Sequence, residues 1–449
     1  MRVVVIGAGK LGYSIAELMS NEQYDVIFID RDELRLEQAK NTLDVLTICS
    51  AATSQSLFMD PDVKGADMVI AVTDSDETNM VASLMAKRFG VHHTIARIRD
   101  AQLLRDGQEF LKKSFQIDQI INPEMITARE IRRDIMTPAA LDVEDFAGGK
   151  VRLFEAKIRR GSRFDGVMLK NLSLPGNVLA AMIFRDNHMI IPHGNDALMA
   201  GDNAYFVGDP ASIEQVSSNF IQRTAKKINR VLIVGAGRTG RALAKMLEDE
   251  GLRVKIIDLD PERCQLAADR LKSSLIINGD ASNIDLLNSE GAGDTDVAIC
   301  LTEDDKLNLM LALLLKHMGA EKTVVRIARS EYVDLMKKVG VDIAVSSRLL
   351  SAAEVLAFAR RGGVVAVSLL EGAKAEAVEV KVQRGAPVIG KSLSMAQLPK
   401  ECLVCSVVRD GEAHIANGNT VLSAGDTVIL ILDTRYSNQV MAYFKGTVR

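Results

Sequence analysis

Cysteine is scarce, with five in 449 residues, too few for a disulfide framework. Long apolar runs are missing as well. Candidates such as Leu307–Leu315, which contains Asn308, stop short of the roughly 18 residues that span a bilayer. Positive charge is not in excess: Lys+Arg is 55 and Asp+Glu is 59, a formal net charge of −4. A nucleic-acid binder working by whole-surface electrostatics carries the opposite sign. No basic n-region and no small-residue cleavage site accompany Val3-Val4-Val5-Ile6, so a cytoplasmic location is expected.

Catalytic signatures are equally thin. There is no His-Glu-x-x-His, and no Gly-x-Ser-x-Gly elbow between a strand and a helix. No P-loop is expected at Gly390-Lys391-Ser392, because the upstream Gly385 is read as out of spacing. None of His92, His93, His188, His193, His317 and His414 occupies a repeated position. Cys402 and Cys405 have the spacing of half a zinc site, but no second pair exists. They are read as small buried residues on opposite faces of a strand, and no metal is expected.

What the chain has is a repeat. Residues 2–12 read Arg-Val-Val-Val-Ile-Gly-Ala-Gly-Lys-Leu-Gly, and residues 230–240 read Arg-Val-Leu-Ile-Val-Gly-Ala-Gly-Arg-Thr-Gly. Asp30 and Asp258 each follow 18 residues after the third glycine. At an offset of 229, Ser50-Ala51-Ala52-Thr53 matches Gly279-Asp280-Ala281-Ser282, Thr73–Asn79 matches Thr302–Asn308, and Arg97 matches Arg326. At an offset of 224, Leu174-Pro175, Arg185-Asp186 and Gly201-Asp202 match Leu398-Pro399, Arg409-Asp410 and Gly425-Asp426. Length alone suggests about three domains. The repeat instead gives four modules, 1–135, 136–225, 226–360 and 361–449, ordered large, small, large, small.

In the large module, strand runs Val3–Ile6, Asp25–Ile29, Val45–Ile48, Met68–Val72 and Thr94–Ile98 alternate with helical patterns such as Tyr13–Ser20 and Asp32–Lys40. Short apolar strands joined by helices imply an α/β fold, a doubly wound parallel sheet covered on both faces. In the small module, Lys150–Lys157, Val178–Arg185 and Ala204–Gly208 are separated by turn signals such as Asp186-Asn187, without a long intervening helix. This reads as a small β-rich or α+β domain.

Gly7-x-Gly9-x-x-Gly12 follows a strand and opens a helix, as does Gly235-x-Gly237-x-x-Gly240. The first glycine permits the tight turn, the second lets a pyrophosphate approach the backbone, and the third lets helix and strand pack closely. Helix N-terminal amides and the helix dipole favour the phosphate charge. Asp30 and Asp258 end the second strand, where a carboxylate can accept both ribose hydroxyls. The acid disfavours a 2′-phosphate, although Arg31 softens this in the first half. Free ribose hydroxyls fit NAD(H), ATP and ADP alike.

Thr73, Asp74, Thr302 and Glu303 fall at the ligand edge of the sheet, where a hydroxyl can reach ribose or phosphate. The acidic runs Asp74–Glu77 and Glu303–Asp305 also suit helix caps. Arg97 and Arg326 end the fifth strand and can pair with phosphate or with a neighbouring acid. Lys10 and Arg238 lie in the glycine loops, where they favour a polyphosphate or simply face solvent.

Taken in order, these residues resemble the RCK (KTN) domain that regulates potassium channels and transporters. The small module, with Gly390-Lys391-x-Leu393, Leu398-Pro399, Arg409 and Gly425-Asp426, resembles the RCK C-terminal domain. Two such pairs resemble the tandem regulatory subunits of Trk potassium uptake systems. The resemblance implies tandem Rossmann-like sheets, each followed by a small α+β RCK C-terminal domain. It also implies a non-enzymatic protein binding NAD(H) and ATP/ADP, a homotetrameric ring, and a location under the cell membrane beside a potassium-translocating Trk partner. Nucleotide contacts then fall on Gly7, Ala8, Gly9, Lys10, Leu11, Gly12, Asp30, Thr73, Asp74 and Arg97. In the second half they fall on Gly235, Ala236, Gly237, Arg238, Thr239, Gly240, Asp258, Gly279, Asp280, Thr302, Glu303 and Arg326. Ser50-Ala51 departs from the Gly-Asp pattern kept at Gly279-Asp280, so the two sites can differ in ligand. The rival readings are a two-domain NAD-dependent dehydrogenase and a soluble nucleotide sensor without a channel.

Overall fold

The computed structural model describes residues 1–136, 143–158, 160–186, 188–220, 228–329, 332–359, 364–371 and 374–446. The expected turn residue Asn187 and the expected boundaries at 225/226 and 360/361 lie outside the described residues. The chain forms two compact units, Met1–Arg133 with Ile228–Ala359, and Asp134–Lys227 with Arg360–Arg449.

The first unit begins with β1 (Arg2–Ile6), α1 (Lys10–Asn21), β2 (Asp25–Asp30), α2 (Glu33–Thr42), β3 (Leu46–Cys49) and α3 (Gln55–Met59). It continues with β4 (Met68–Ala71), α4 (Asp76–Arg88), β5 (His93–Arg97), α5 (Ala101–Ser114), β6 (Gln119–Ile121) and α6 (Pro123–Met136). The strands are parallel in the order β3-β2-β1-β4-β5-β6. Alternation along each strand decides which layer a residue joins. Val3, Val5, Phe28 and Ile70 pack with Ile15 and Met19 of α1, whereas Val4, Ile6, Ile27 and Val69 pack with Phe58, Ala82 and Ala86. β6 was not expected; three residues are too few to give a periodic signal.

The second unit starts with β7 (Val143–Phe146), β8 (Val151–Lys157), β9 (Val178–Arg185), β10 (His188–Ile190), β11 (Asn203–Gly208) and α7 (Pro210–Phe220). The first unit resumes with β12 (Arg230–Val234), α8 (Arg238–Asp249), β13 (Arg253–Asp258), α9 (Pro261–Ala268), β14 (Leu275–Asn278), α10 (Ile284–Ser289) and β15 (Val297–Cys300). α11 (Asp305–Met318), β16 (Lys322–Ile327), α12 (Val333–Lys338), β17 (Ile343–Ser346) and α13 (Ser347–Ala359) complete it. This sheet repeats the first, β14-β13-β12-β15-β16-β17.

The two large repeats share their cores. Ala352, Val355, Leu356 and Phe358 of α13 are buried in the cluster under β1 and β2. Arg132 of α6 pairs with Glu250 at the end of α8. The second repeat therefore sends its last helix, α13, to the first, and α6 reaches the second repeat through the Arg132–Glu250 pair.

The second unit ends with β18 (Val364–Leu370), β19 (Ala375–Lys381), β20 (Cys402–Arg409), β21 (Glu412–Ile415), β22 (Thr427–Asp433) and α14 (Ser437–Ala442). Its two antiparallel sheets have orders β10-β9-β11-β8-β7 and β18-β19-β22-β20-β21, the same topology twice. Their inner faces form one core, including Leu153, Met182 and Tyr205 with Ala377, Cys405 and Ile431. Cys402 belongs to the opposite layer, with Val378 and Leu430. Burial pushes the Cys402 thiol up to about 12 and that of Cys405 higher still. The pair is core, on opposite faces.

One expectation needs correcting. The letters from Gly385 to Ser392 do fit P-loop spacing. They lead from a turn into a three-residue 3-10 segment, Leu393–Met395, and not into a helix whose N-terminus could hold phosphate.

The repeated Arg and Gly-Asp of the small modules form one bidentate pair each. Arg185 Nε and Nη2 donate to Asp202 at 2.7 and 2.7 Å, and Arg409 donates likewise to Asp426 at 2.9 and 2.7 Å. Burial pushes the Asp426 carboxyl up, but the Arg409 guanidinium and the Ser423 N–H outweigh it, leaving it below its ordinary value. A carboxylate lowered in this way contributes stability above its unfolded pKa, about 3.9, and loses it as pH falls through the folded value. Asp426→Asn is expected to cost about 2 kcal/mol at neutral pH. By urea denaturation, the gap from wild type should shrink at about pH 3.

Candidate functional site

Gly7 has φ +109°, and a Cβ there would lie 2.9 Å from the Thr73 backbone nitrogen. A Cβ on Gly12 would fall 1.8 Å from Gly7 O, and one on Gly240 would fall 1.9 Å from Gly235 O. Gly9 differs: it caps α1 in an extended conformation, φ −75°, with nothing within 4 Å of its missing side chain. Gly237 is equally open. The N–H groups of Gly9, Lys10 and Leu11 donate to nothing among the described residues, as orphan donors at a helix start do. The loop thus leaves open the place where a phosphate would sit.

Asp30 is used differently from expectation. Its Oδ2 accepts from Ala8 N–H at 2.5 Å and its Oδ1 from Asp32 N–H at 2.9 Å. Asp258 repeats this with Ala236 at 2.6 Å and Asp260 at 2.8 Å. The carboxylate first anchors the glycine loop; a ribose would share its remaining lone pairs. The Ala8 and Ala236 amides are thereby taken. Neither these alanines nor Gly12 and Gly240 line either of the two clefts described below. These four expected contacts shape the loop from behind.

Thr73 also needs correction. Its hydroxyl donates to Asn79 Oδ1 at 2.7 Å, so its proton is not directed to a ligand. Asn79 is fully buried in α4; it also accepts from Thr73 N–H and donates to Arg97 O at 2.9 Å. Thr302, Asn308 and Arg326 repeat the arrangement. The acidic runs do cap helices: Ser75 and Asp304 are the capping residues, with Asp76 and Asp305 in the first turns.

The first cleft has a volume of about 830 Å³ and gathers Gly7, Gly9, Lys10, Leu11, Asp30, Thr73, Asp74 and Arg97 on its wall. The second, about 500 Å³, gathers Gly235, Gly237, Arg238, Thr239, Asp258, Gly279, Asp280, Thr302, Glu303 and Arg326. Glu124, Arg238, Thr239, Glu303 and Arg326 line both, so the clefts adjoin. Burial, with Arg99 alongside, holds the Arg97 guanidinium below its ordinary value, although Glu124 and Asp76 oppose this. Arg97 Nη2 lies 4.0 Å from Glu124 Oε1. The Nε atoms of Arg97, Arg99 and Arg326 are buried without a hydrogen-bond partner. Arg97 has Glu124 nearby and Arg99 has Asp76 at 3.7 Å, and an anion in the cleft would add to this compensation.

Arg99 and Arg348 were missed. Arg99 stands two residues beyond Arg97, a period-2 signal that was readable. Arg348 comes from α13, and only the exchange of helices brings it to the first cleft.

Comparison with known proteins agrees with this architecture. The TrkA-N domain model matches residues 3–123 and 231–347, and the TrkA-C domain model matches 153–221 and 377–445. Trk system potassium uptake protein TrkA homolog 2 of Methanosarcina mazei is 36% identical over 99% of this chain and 100% of its own. The chain belongs to the TrkA family. Trk system potassium uptake protein TrkA of Halomonas elongata is 34% identical over 99% of both chains. The TrkA-type fold is also seen in the GsuK channel bound to NAD, at TM-score 0.65 and 16% identity, covering 99% of this chain and 78% of that one. GsuK bound to ADP matches at TM-score 0.53 and 14% identity, over 80% and 69%. No helix among the described residues is long and apolar enough to cross a membrane. No cluster of metal ligands is found among them either.

Proposed function

We propose that this chain is the cytosolic regulatory subunit of a Trk-type potassium uptake system, docked at the inner membrane face and gating a potassium-translocating partner through nucleotide-dependent rearrangement. Its units are the modules 1–135, 136–225, 226–360 and 361–449, assembled as a homotetrameric ring. Each cleft takes an adenosine phosphate, NAD(H) or ATP/ADP, through the glycine-loop amides, Asp30 or Asp258, and Arg97 or Arg326. The chain binds these compounds without transforming them.

One observation carries the reading: Glu124, Arg238 and Arg326 belong to the walls of both clefts. A ligand in either cleft therefore acts on groups held by both repeats. Exchanging a triphosphate for a diphosphate changes the charge there by about one unit. At about 4 Å and an effective dielectric near 20, that is worth about 4 kcal/mol, comparable with the 1–3 kcal/mol typical of coupling between sites. Hydride transfer is less well supported, because no His, Cys or Tyr lines either cleft among the described residues to serve as acid or base.

The experiment is rubidium flux in vesicles containing the membrane subunit and this chain, with and without nucleotide. Gly9→Asp and Gly237→Asp add a carboxylate where phosphate would sit, at positions with room for it. The flux response should fall at least about tenfold in the double variant. An unchanged response would contradict the proposal.

A further inference from the structure

The two clefts are built from the same repeat, yet their charges have diverged in one direction. Strand order fixes what each position faces. The glycine loop after β1 meets the phosphates and the end of β2 meets the ribose. The base must then lie over β3, with further phosphates towards β4 and β5. Ser50 N–H donates to Asp30 O, and Gly279 N–H donates to Asp258 O, both at 2.9 Å. Ala51 and Asp280 are thus equivalent positions at the base end.

Four equivalent positions differ in charge. At the base end, Ala51 lines the first cleft and Asp280 the second. Beside the ribose, Arg31 is matched by Leu259. Beyond the fifth strand, Arg99 is matched by Ala328. The last pair comes from the exchanged helices. Arg97 pairs in register with Ile121, and Arg326 with Val345, which makes Glu124 and Arg348 equivalent. Arg348 lines the first cleft only, whereas its equivalent Glu124 lines both clefts. Every difference leaves the first cleft more positive than the second.

Building on the proposed function, we infer that the sites have divided their labour. The first cleft selects a nucleoside triphosphate by phosphate charge, with Arg99 and Arg348 facing the third phosphate and little discrimination of the base. The second cleft selects the adenosine diphosphate moiety, free as ADP or esterified as in NAD, and Asp280 reads the adenine 6-amino group. That carboxylate accepts two bonds from Ser282, which hold its pKa below the ordinary value. It is therefore a charged acceptor, suited to an amine and repelling a 6-oxo group.

The test is calorimetry on the full chain carrying one substitution at a time. Gly237→Asp leaves the first cleft, which should bind ATP at least about tenfold tighter than ADP and accept ITP about as well as ATP. Gly9→Asp leaves the second cleft, which should bind ADP or NAD at least as tightly as ATP and bind IDP about tenfold more weakly than ADP. Separate ADP and NAD titrations distinguish the two sources of the diphosphate. Arg348→Glu in the Gly237→Asp chain should erase the preference for ATP. Asp280→Ala in the Gly9→Asp chain should erase the discrimination against IDP. Equal ligand rankings in the two single-cleft chains would overturn this inference alone. Failure of the unsubstituted chain to bind any nucleotide would overturn the proposed function and this inference together.

Discussion

Gly12→Ala is expected to abolish stable folding of the first large repeat, and Gly240→Ala that of the second. The added methyl would sit 1.8 Å from Gly7 O, or 1.9 Å from Gly235 O. A van der Waals contact needs about 3.5 Å. The obstacle is backbone, so no rotamer change relieves it. The helix must move off the strand, opening the layer that contains Ile15, Ala16 and Met19. A loss of at least about 4 kcal/mol follows from overpacking together with a broken core. Gly9→Ala, three residues away, should change stability by less than about 1 kcal/mol, because its Cβ meets nothing. Thermal denaturation of the two variants makes the comparison. Equal melting temperatures would show that the loop is not packed as described.

The second large effect is expected at Asn79→Asp. The change keeps size and shape but removes the amide donors that serve Arg97 O and Thr73 O. It places a carboxylate against two carbonyl oxygens in a fully buried site. Unpaired buried acceptors cost about 1–3 kcal/mol each, and a buried charge more, so a loss of about 4 kcal/mol is expected at neutral pH. Acid should partly restore stability, because a protonated carboxyl can donate once. Nucleotide affinity at the first cleft should also fall, since Asn79 ties the end of β5, and with it Arg97, to the Thr73 loop. Denaturation at pH 7 and pH 5 provides the check. Loss without recovery in acid would point to packing, not to the missing donors.

Both positions are marked in the amino-acid sequence itself. The third glycine and the Thr-to-Asn spacing are local features, and repetition marked them. Strands β1 to β5 were readable because buried parallel strands are short apolar runs. β6 and β10, three residues each, gave too little pattern, and α7 lies after the strands that defined the small module. The exchange of α13 was not readable at all. Its apolar stripe Ala352, Val355, Leu356 and Phe358 says that it is covered, but not by which sheet. Arg348, and the adjoining of the clefts, depend on that choice. Thr73 and Asp30 both fall on the wall of the first cleft, but their hydrogen bonds depend on backbone geometry that a motif does not specify.

The most direct test of the central claim is the number of adenine nucleotides bound per chain, measured by equilibrium dialysis of purified protein. Two per chain are expected, falling to one in Gly9→Asp or Gly237→Asp and to none when both are present. Zero in the unsubstituted chain, or two retained in the double variant, would contradict the assignment of these clefts.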